Sequence, residues 1–79
     1  MKLYEIGPKI RELRLQNKLS QDELAKKSGI SRVTLGKLER GEIASVSLKT
    51  VDLILSSVNY EISFEQKKNF GLPTLDQLV

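Results

Sequence analysis

Residues 20–41, SQDELAKKSGISRVTLGKLERG, carry start and stop signals for two short helices with almost no chain between them. Ser20 and Glu23 have the spacing of a capping box, in which the serine oxygen accepts from an orphan backbone donor and the glutamate reaches back to the cap. A helix is therefore expected to start at Gln21. Leu24 and Ala25 give it a narrow inward face, Gln21, Asp22, Lys26 and Lys27 point to water, and Gly29 supplies the left-handed residue that ends it. Ser31 then caps a second helix. Its inward positions are Leu35 and Leu38, Gly41 closes it, and Arg32, Val33, Thr34 and Lys37 stand on the opposite face.

Two helices joined through a glycine turn form a helix-turn-helix, a unit whose second helix can enter the DNA major groove with its N-terminal residues at base edges. Each capping signal alone is common in helical proteins, and a basic face alone is often just a solvated surface. Here the two coincide. Residues 9–42 hold nine basic and five acidic side chains, a net of +4, while residues 43–79 carry a net of −1 within a total of +3. The positive field thus falls on the half with the two helices, as attraction to phosphates requires. On that geometry Arg32 is the candidate for a bidentate contact to guanine, Lys37 for a second guanine or a phosphate, and Val33 for a thymine methyl. Gln21 and Thr34 are expected to fix register on the backbone.

The run LSQDELAKKSGIS, followed by LGKLERG and SLKTVDLIL, resembles the Cro/repressor (XRE) class of helix-turn-helix domains over about residues 6 to 58. The resemblance implies a lambda-repressor-like domain of four to five helices. It maps a phosphate contact onto Gln21 and base contacts onto Ser31, Arg32, Val33, Thr34 and Lys37. It also implies a structural ion pair between Arg14, late in the first helix, and Glu39, late in the third.

Seventy-nine residues suit one domain, and folding at this size buries little more than roughly 60% of the unfolded surface, so a monomer is marginal and a partner chain would help. With no cysteine and no histidine, disulfides, the usual zinc sites, thiol nucleophiles and the commonest general base are removed. No cluster of the remaining carboxylates, lysines and hydroxyls suggests catalysis, so no enzyme activity, cofactor or metal is expected. No apolar run approaches the roughly 20 residues that span a bilayer, and no signal-peptide core is visible, so a cytoplasmic protein with no membrane contact is expected.

Ahead of the helix-turn-helix, residues 1–6 alternate weakly and read as a short extended arm, with Gly7 and Pro8 opening a helix over about 8–17. Ile6, Ile10 and Leu13 form its inward stripe, to pack on Leu24 and Leu38. Leu15 lies off that stripe, as a tolerated surface leucine or as a contact with another chain. Behind a short loop at 42–46, Ser47 is expected to cap a fourth helix over 48–57, with Leu48, Val51, Ile54, Leu55 and Val58 on one broad face and Leu53 extending it sideways. Such width suits a second subunit as well as a core.

From 60 to 64 the sequence YEISF alternates, placing Tyr60, Ile62 and Phe64 on one side, the period of a strand. A lone strand leaves its backbone groups unpaired. The expected remedy is antiparallel pairing with the same strand of a twin subunit, making Val58, Tyr60, Ile62 and Phe64 the dimerisation residues; pairing with residues 2–6 of the same chain is the competing remedy. After a polar link the tail GLPTLDQLV places Leu72, Leu75 and Leu78 three apart. It is too short to hold a helix alone and reads either as an idle end or as a docking peptide.

The segment SLKTVDLILSSVNYEISF with the GLPTLDQL ending is similar to the HipB-type antitoxins, repressor partners of HipA-like kinase toxins. That similarity implies a strand shared across the homodimer, binding to a palindromic operator in the dimer's own promoter, and a toxin contact carried onto Leu72, Leu75 and Leu78. The expected organisation is a mainly α domain over 1–66, with one C-terminal β-strand pairing across the homodimer, followed by a flexible tail over 67–79. The expected function is a DNA-binding repressor and antitoxin; the alternative is a plain XRE-type regulator of the phage or restriction-control kind without a toxin.

Overall fold

The structure is a computed structural model and describes residues 1–67. Among them the chain forms four α-helices, α1 (Leu3–Gln16), α2 (Gln21–Ser28), α3 (Arg32–Glu39) and α4 (Leu48–Ser57), with one turn of 3-10 helix at Ile43–Ser45 before α4. The caps expected for α2, α3 and α4 are all made. Ser20, Ser31 and Ser47 each accept a hydrogen bond from the backbone N–H three residues on, at 3.1, 3.0 and 3.1 Å. Glu23 completes the capping box by accepting from the Ser20 N–H at 2.8 Å. These hydrogen bonds to Ser20 hold the Glu23 carboxyl below the usual carboxylate range.

The first helix corrects the sequence reading. Residues 1–6 form no extended arm, because α1 begins at Leu3, five residues before Pro8. Glu5 decides the start: its carboxylate accepts from the Lys2 N–H at 3.1 Å, and its own N–H donates to the Lys2 carbonyl at 3.0 Å. Pro8 lies inside the helix, where it gives up one ladder hydrogen bond. Gly7, in the same turn, packs directly on the backbone of α3. A Cβ there would run into the Leu38 carbonyl and lie 3.4 Å from Glu39 Cα, so its lack of a side chain sets how near α1 can come to α3.

All four helices close in one way. A residue in the left-handed region follows each, Lys18 (φ 57°), Gly29 (75°), Gly41 (93°) and Asn59 (64°). The next N–H then reaches back five residues, Leu19 to Arg14, Ile30 to Ala25, Glu42 to Lys37 and Tyr60 to Leu55, at 2.8–3.1 Å. This Schellman closure satisfies orphan carbonyls and turns the chain sharply. Gly29 and Gly41 were visible in the sequence. Lys18 and Asn59 were not, since lysine and asparagine enter this region at a cost that surrounding packing must offset.

The core is one cluster: Ile10 and Leu13 from α1, Leu24 and Ala25 from α2, Leu35 and Leu38 from α3, Val51 and Ile54 from α4, and Val58 just past its end. Ile6, Leu19, Ile30, Ile43, Val46 and Leu55 pack around it half-buried. Helix α1 lies on α3, and α4 on α2. A buried hydroxyl joins the second pair, Ser28 Oγ donating to Ser57 Oγ at 3.0 Å while Ser57 Oγ donates to the Leu53 carbonyl at 2.9 Å. The broad apolar face expected of α4 is divided. Val51 and Ile54 are buried, Leu55 is half-buried, and Leu48 and Leu53 face water.

Residues 60–67 form neither a helix nor a ladder in the single chain. A ladder needs a second strand, and of residues 2–6, the competing partner in the same chain, 3–6 are wound into α1. Val58, expected among the dimerisation residues, is spent inside the chain's own core at 6% exposure. Tyr60, Ile62 and Phe64 remain exposed, Phe64 at 98%. Together with Leu3 and Ile6 of α1 and Leu48 and Leu55 of α4 they line a mostly apolar groove of about 560 Å³. No residue of α2 or α3 lines it.

Candidate nucleic-acid interface

A buried ion pair sets the position of α3. Arg14 of α1 donates through Nε to Glu39 Oε2 at 2.8 Å and through Nη2 to Glu39 Oε1 at 3.0 Å, a bidentate pair with both residues 8% exposed. Its Nη1 donates to the Leu19 carbonyl at 2.9 Å. One guanidinium thus ties α1, the turn before α2, and the end of α3. The hydrogen bonds that Arg14 donates to Glu39 hold the Arg14 pKa above its ordinary value, against the opposing effect of burial.

Gln21 adds a third tie. Its Nε2 donates to Glu39 Oε1 at 3.1 Å, so α2 is joined to the same carboxylate. The residue assigned a phosphate contact by family resemblance therefore leans inward in the free chain. It is half-buried, with a second N–H and the amide oxygen still available for an outer partner.

At the start of α3 the side chains divide between cap and surface. Ser31 accepts from the Thr34 N–H and donates to Thr34 Oγ1 at 2.8 Å, so its hydroxyl proton is used by the helix and one oxygen lone pair is left for an outer donor. The Thr34 hydroxyl, accepting from Ser31, keeps its own proton for an outer acceptor, the chemistry of a backbone contact. Arg32, Val33 and Lys37 are exposed, Val33 at 65%. A valine this exposed beside two cations contributes nothing to the core and is available to an apolar group such as a thymine methyl.

The surrounding charge favours an anionic partner. Among the described residues Lys26, Lys27 and Lys37 enter no ion pair, whereas Lys9 is paired with Glu12 and Arg40 with Glu42. Arg32 has a partner that the sequence reading did not anticipate: its Nε lies 3.1 Å from Oδ1 of Asp22 in α2. The two residues are ten apart across the turn, and no helical spacing relates them.

A basic, exposed N-terminal face on the second helix of a two-helix unit is the arrangement that enters a major groove. The sequence profile of the Helix-turn-helix family matches residues 10–64, more than half of the chain. The chain belongs to this family. It is a DNA-binding regulator of the XRE type. Comparison with curated proteins and with solved structures finds no match to the chain. Among the described residues no helix is long and apolar enough to cross a membrane, and no group of carboxylates is placed to hold a metal ion.

Proposed function

We propose that this helix-turn-helix chain works as a homodimeric repressor of its own promoter and as an antitoxin that docks a HipA-like kinase toxin. The supporting observation is that the chain has two separate faces. The basic face at the start of α3, with Arg32, Val33 and Lys37, lies apart from the apolar groove formed by α1, α4 and the exposed side chains of Tyr60, Ile62 and Phe64. A monomer gains nothing by exposing three alternating apolar side chains beside a groove, whereas two copies pairing residues 60–64 antiparallel would cover them and satisfy the backbone between them. A two-fold axis there would present two α3 helices about 34 to 36 Å apart, one turn of DNA, to a palindromic operator.

In this reading Arg32 reads guanine, Val33 packs on a thymine methyl, Lys37 takes a guanine or a phosphate, and Gln21 and Thr34 hold the backbone. The domain extends over 1–66. The tail over 67–79, with Leu72, Leu75 and Leu78, is the toxin-docking segment; those leucines lie outside the described residues, and their role rests on sequence resemblance alone.

Two measurements test it. Sedimentation of the wild-type chain and of a Tyr60→Ser/Ile62→Ser/Phe64→Ser variant should give a dimer and a monomer respectively at micromolar concentration. Selection from a random duplex pool should return an inverted repeat. A wild-type monomer, or selected sites without two-fold symmetry, would contradict the dimeric operator. For the antitoxin role, a chain cut after residue 70 should lose affinity for the kinase encoded beside it and keep its operator; absence of any such kinase gene leaves the plain XRE-type regulator.

A further inference from the structure

The first turn of α2 contains three polar side chains in succession, and the fold uses two of them. Gln21 turns inward to Glu39, and Glu23 closes the capping box on Ser20. Asp22, between them, reaches across the turn to Arg32, Oδ1 to Nε at 3.1 Å. Both side chains are mostly exposed, at 62% for Arg32 and 78% for Asp22, so this pair adds little to stability in water. Its effect is on where the guanidinium sits: the carboxylate lies beside Nε.

A guanidinium presents five N–H donors in a rigid planar fork. Asp22 lies beside the Nε edge. The two terminal nitrogens of Arg32 make no hydrogen bond among the described residues and form a matched pair, the spacing that meets O6 and N7 of one guanine. We propose that Asp22 is a specificity-determining positioning residue: its charge beside Nε draws the guanidinium toward the start of α2, which leaves Nη1 and Nη2 for a base edge instead of the nearest phosphate. The proposal rests on the reading of α3 as the base-contacting helix. A carboxylate here also repels every phosphate backbone alike, and this gives the two effects different signatures. Loss of charge alone raises affinity for all duplexes equally, whereas release of Arg32 lowers preference at one base pair.

The test uses the full chain. A preferred duplex is selected with the wild type, and the guanine whose replacement costs most, and whose advantage disappears in Arg32→Ala, is identified. Asp22→Asn and Asp22→Glu are then titrated by fluorescence anisotropy on the selected, single-base-replaced and scrambled duplexes at one salt concentration. Asp22→Asn should cut the preference for that guanine about three- to tenfold while affinity for scrambled duplex holds or rises. Asp22→Glu should restore part of the preference. In the Arg32→Ala background Asp22→Asn should change it no further. An equal gain on every duplex, with the preference intact, overturns the proposal alone. A wild type that ranks no duplex above another overturns base reading by α3 and this proposal with it.

Discussion

Replacing Arg14 by Met should strongly destabilise the domain, and replacing Glu39 as well should restore it. The Glu39 side chain is 3% exposed and has three donors, Arg14 Nε and Nη2 and Gln21 Nε2, at 2.8, 3.0 and 3.1 Å. Arg14→Met removes two of the three and, among the described residues, the only cation paired with that carboxylate. Breaking a buried pair from one side costs about 3–5 kcal/mol, because the remaining charge is left without compensation. A 79-residue chain at about 0.05–0.15 kcal/mol per residue has about 4–12 kcal/mol in total. One substitution therefore takes about a quarter of the stability or more. In Arg14→Met/Glu39→Leu no charge is buried, and apolar groups of similar volume fill the space, so the double variant should lie within about 1 kcal/mol of wild type. Urea unfolding followed by far-UV circular dichroism would measure this, at fixed protomer concentration because subunit association couples stability to concentration. The reasoning fails if Arg14→Met costs less than about 1 kcal/mol, or if the double variant costs the sum of the two single ones.

Gly7→Ala should destabilise by about 1–3 kcal/mol despite alanine's better helix propensity, because the added methyl meets the Leu38 backbone; a gain in melting temperature would show that α1 and α3 separate freely. Arg32→Ala should cost about 1–3 kcal/mol on the selected duplex and relax sequence preference, whereas Lys26→Ala and Lys27→Ala should weaken all duplexes alike and flatten the salt slope, as gel-shift titrations at two salt concentrations would reveal. The Glu23 carboxyl, held below its ordinary value of 4.5 by Ser20, contributes stability that is present above that pH and lost as pH falls through the lower folded value. Melting curves from about pH 6 down to about pH 3 should therefore fall less steeply for Glu23→Gln than for wild type, and parallel curves would remove the capping box as a source of acid sensitivity.

Local chemistry made the helix-turn-helix readable. The caps at Ser20, Ser31 and Ser47 and the left-handed stops at Gly29 and Gly41 act within a few residues, so spacing alone located α2 and α3, and α4 came out residue for residue. The start of α1 was misread because Pro8 looked like an opening residue, while the deciding contact was Glu5 on the Lys2 N–H. The closures at Lys18 and Asn59 carried no glycine to announce them. At the candidate site, exposure of Arg32, Val33 and Lys37 followed from the inward placing of Leu35 and Leu38. The inward lean of Gln21 and the hold of Asp22 on Arg32 did not, since both are contacts between helices that only tertiary packing defines. Residues 60–64 alternate as a strand would, yet a ladder is a property of two segments and the described residues of one chain form none.

Amide chemical-shift mapping of the isotope-labelled chain, titrated with its selected duplex, tests the central claim most directly. The account predicts the largest changes at Gln21 and across residues 31–37, with Arg32, Val33 and Lys37 foremost and the groove residues Leu3, Leu48 and Leu55 nearly still. Changes confined to Lys26, Lys27 and other surface lysines, identical for selected and scrambled duplexes, would contradict it.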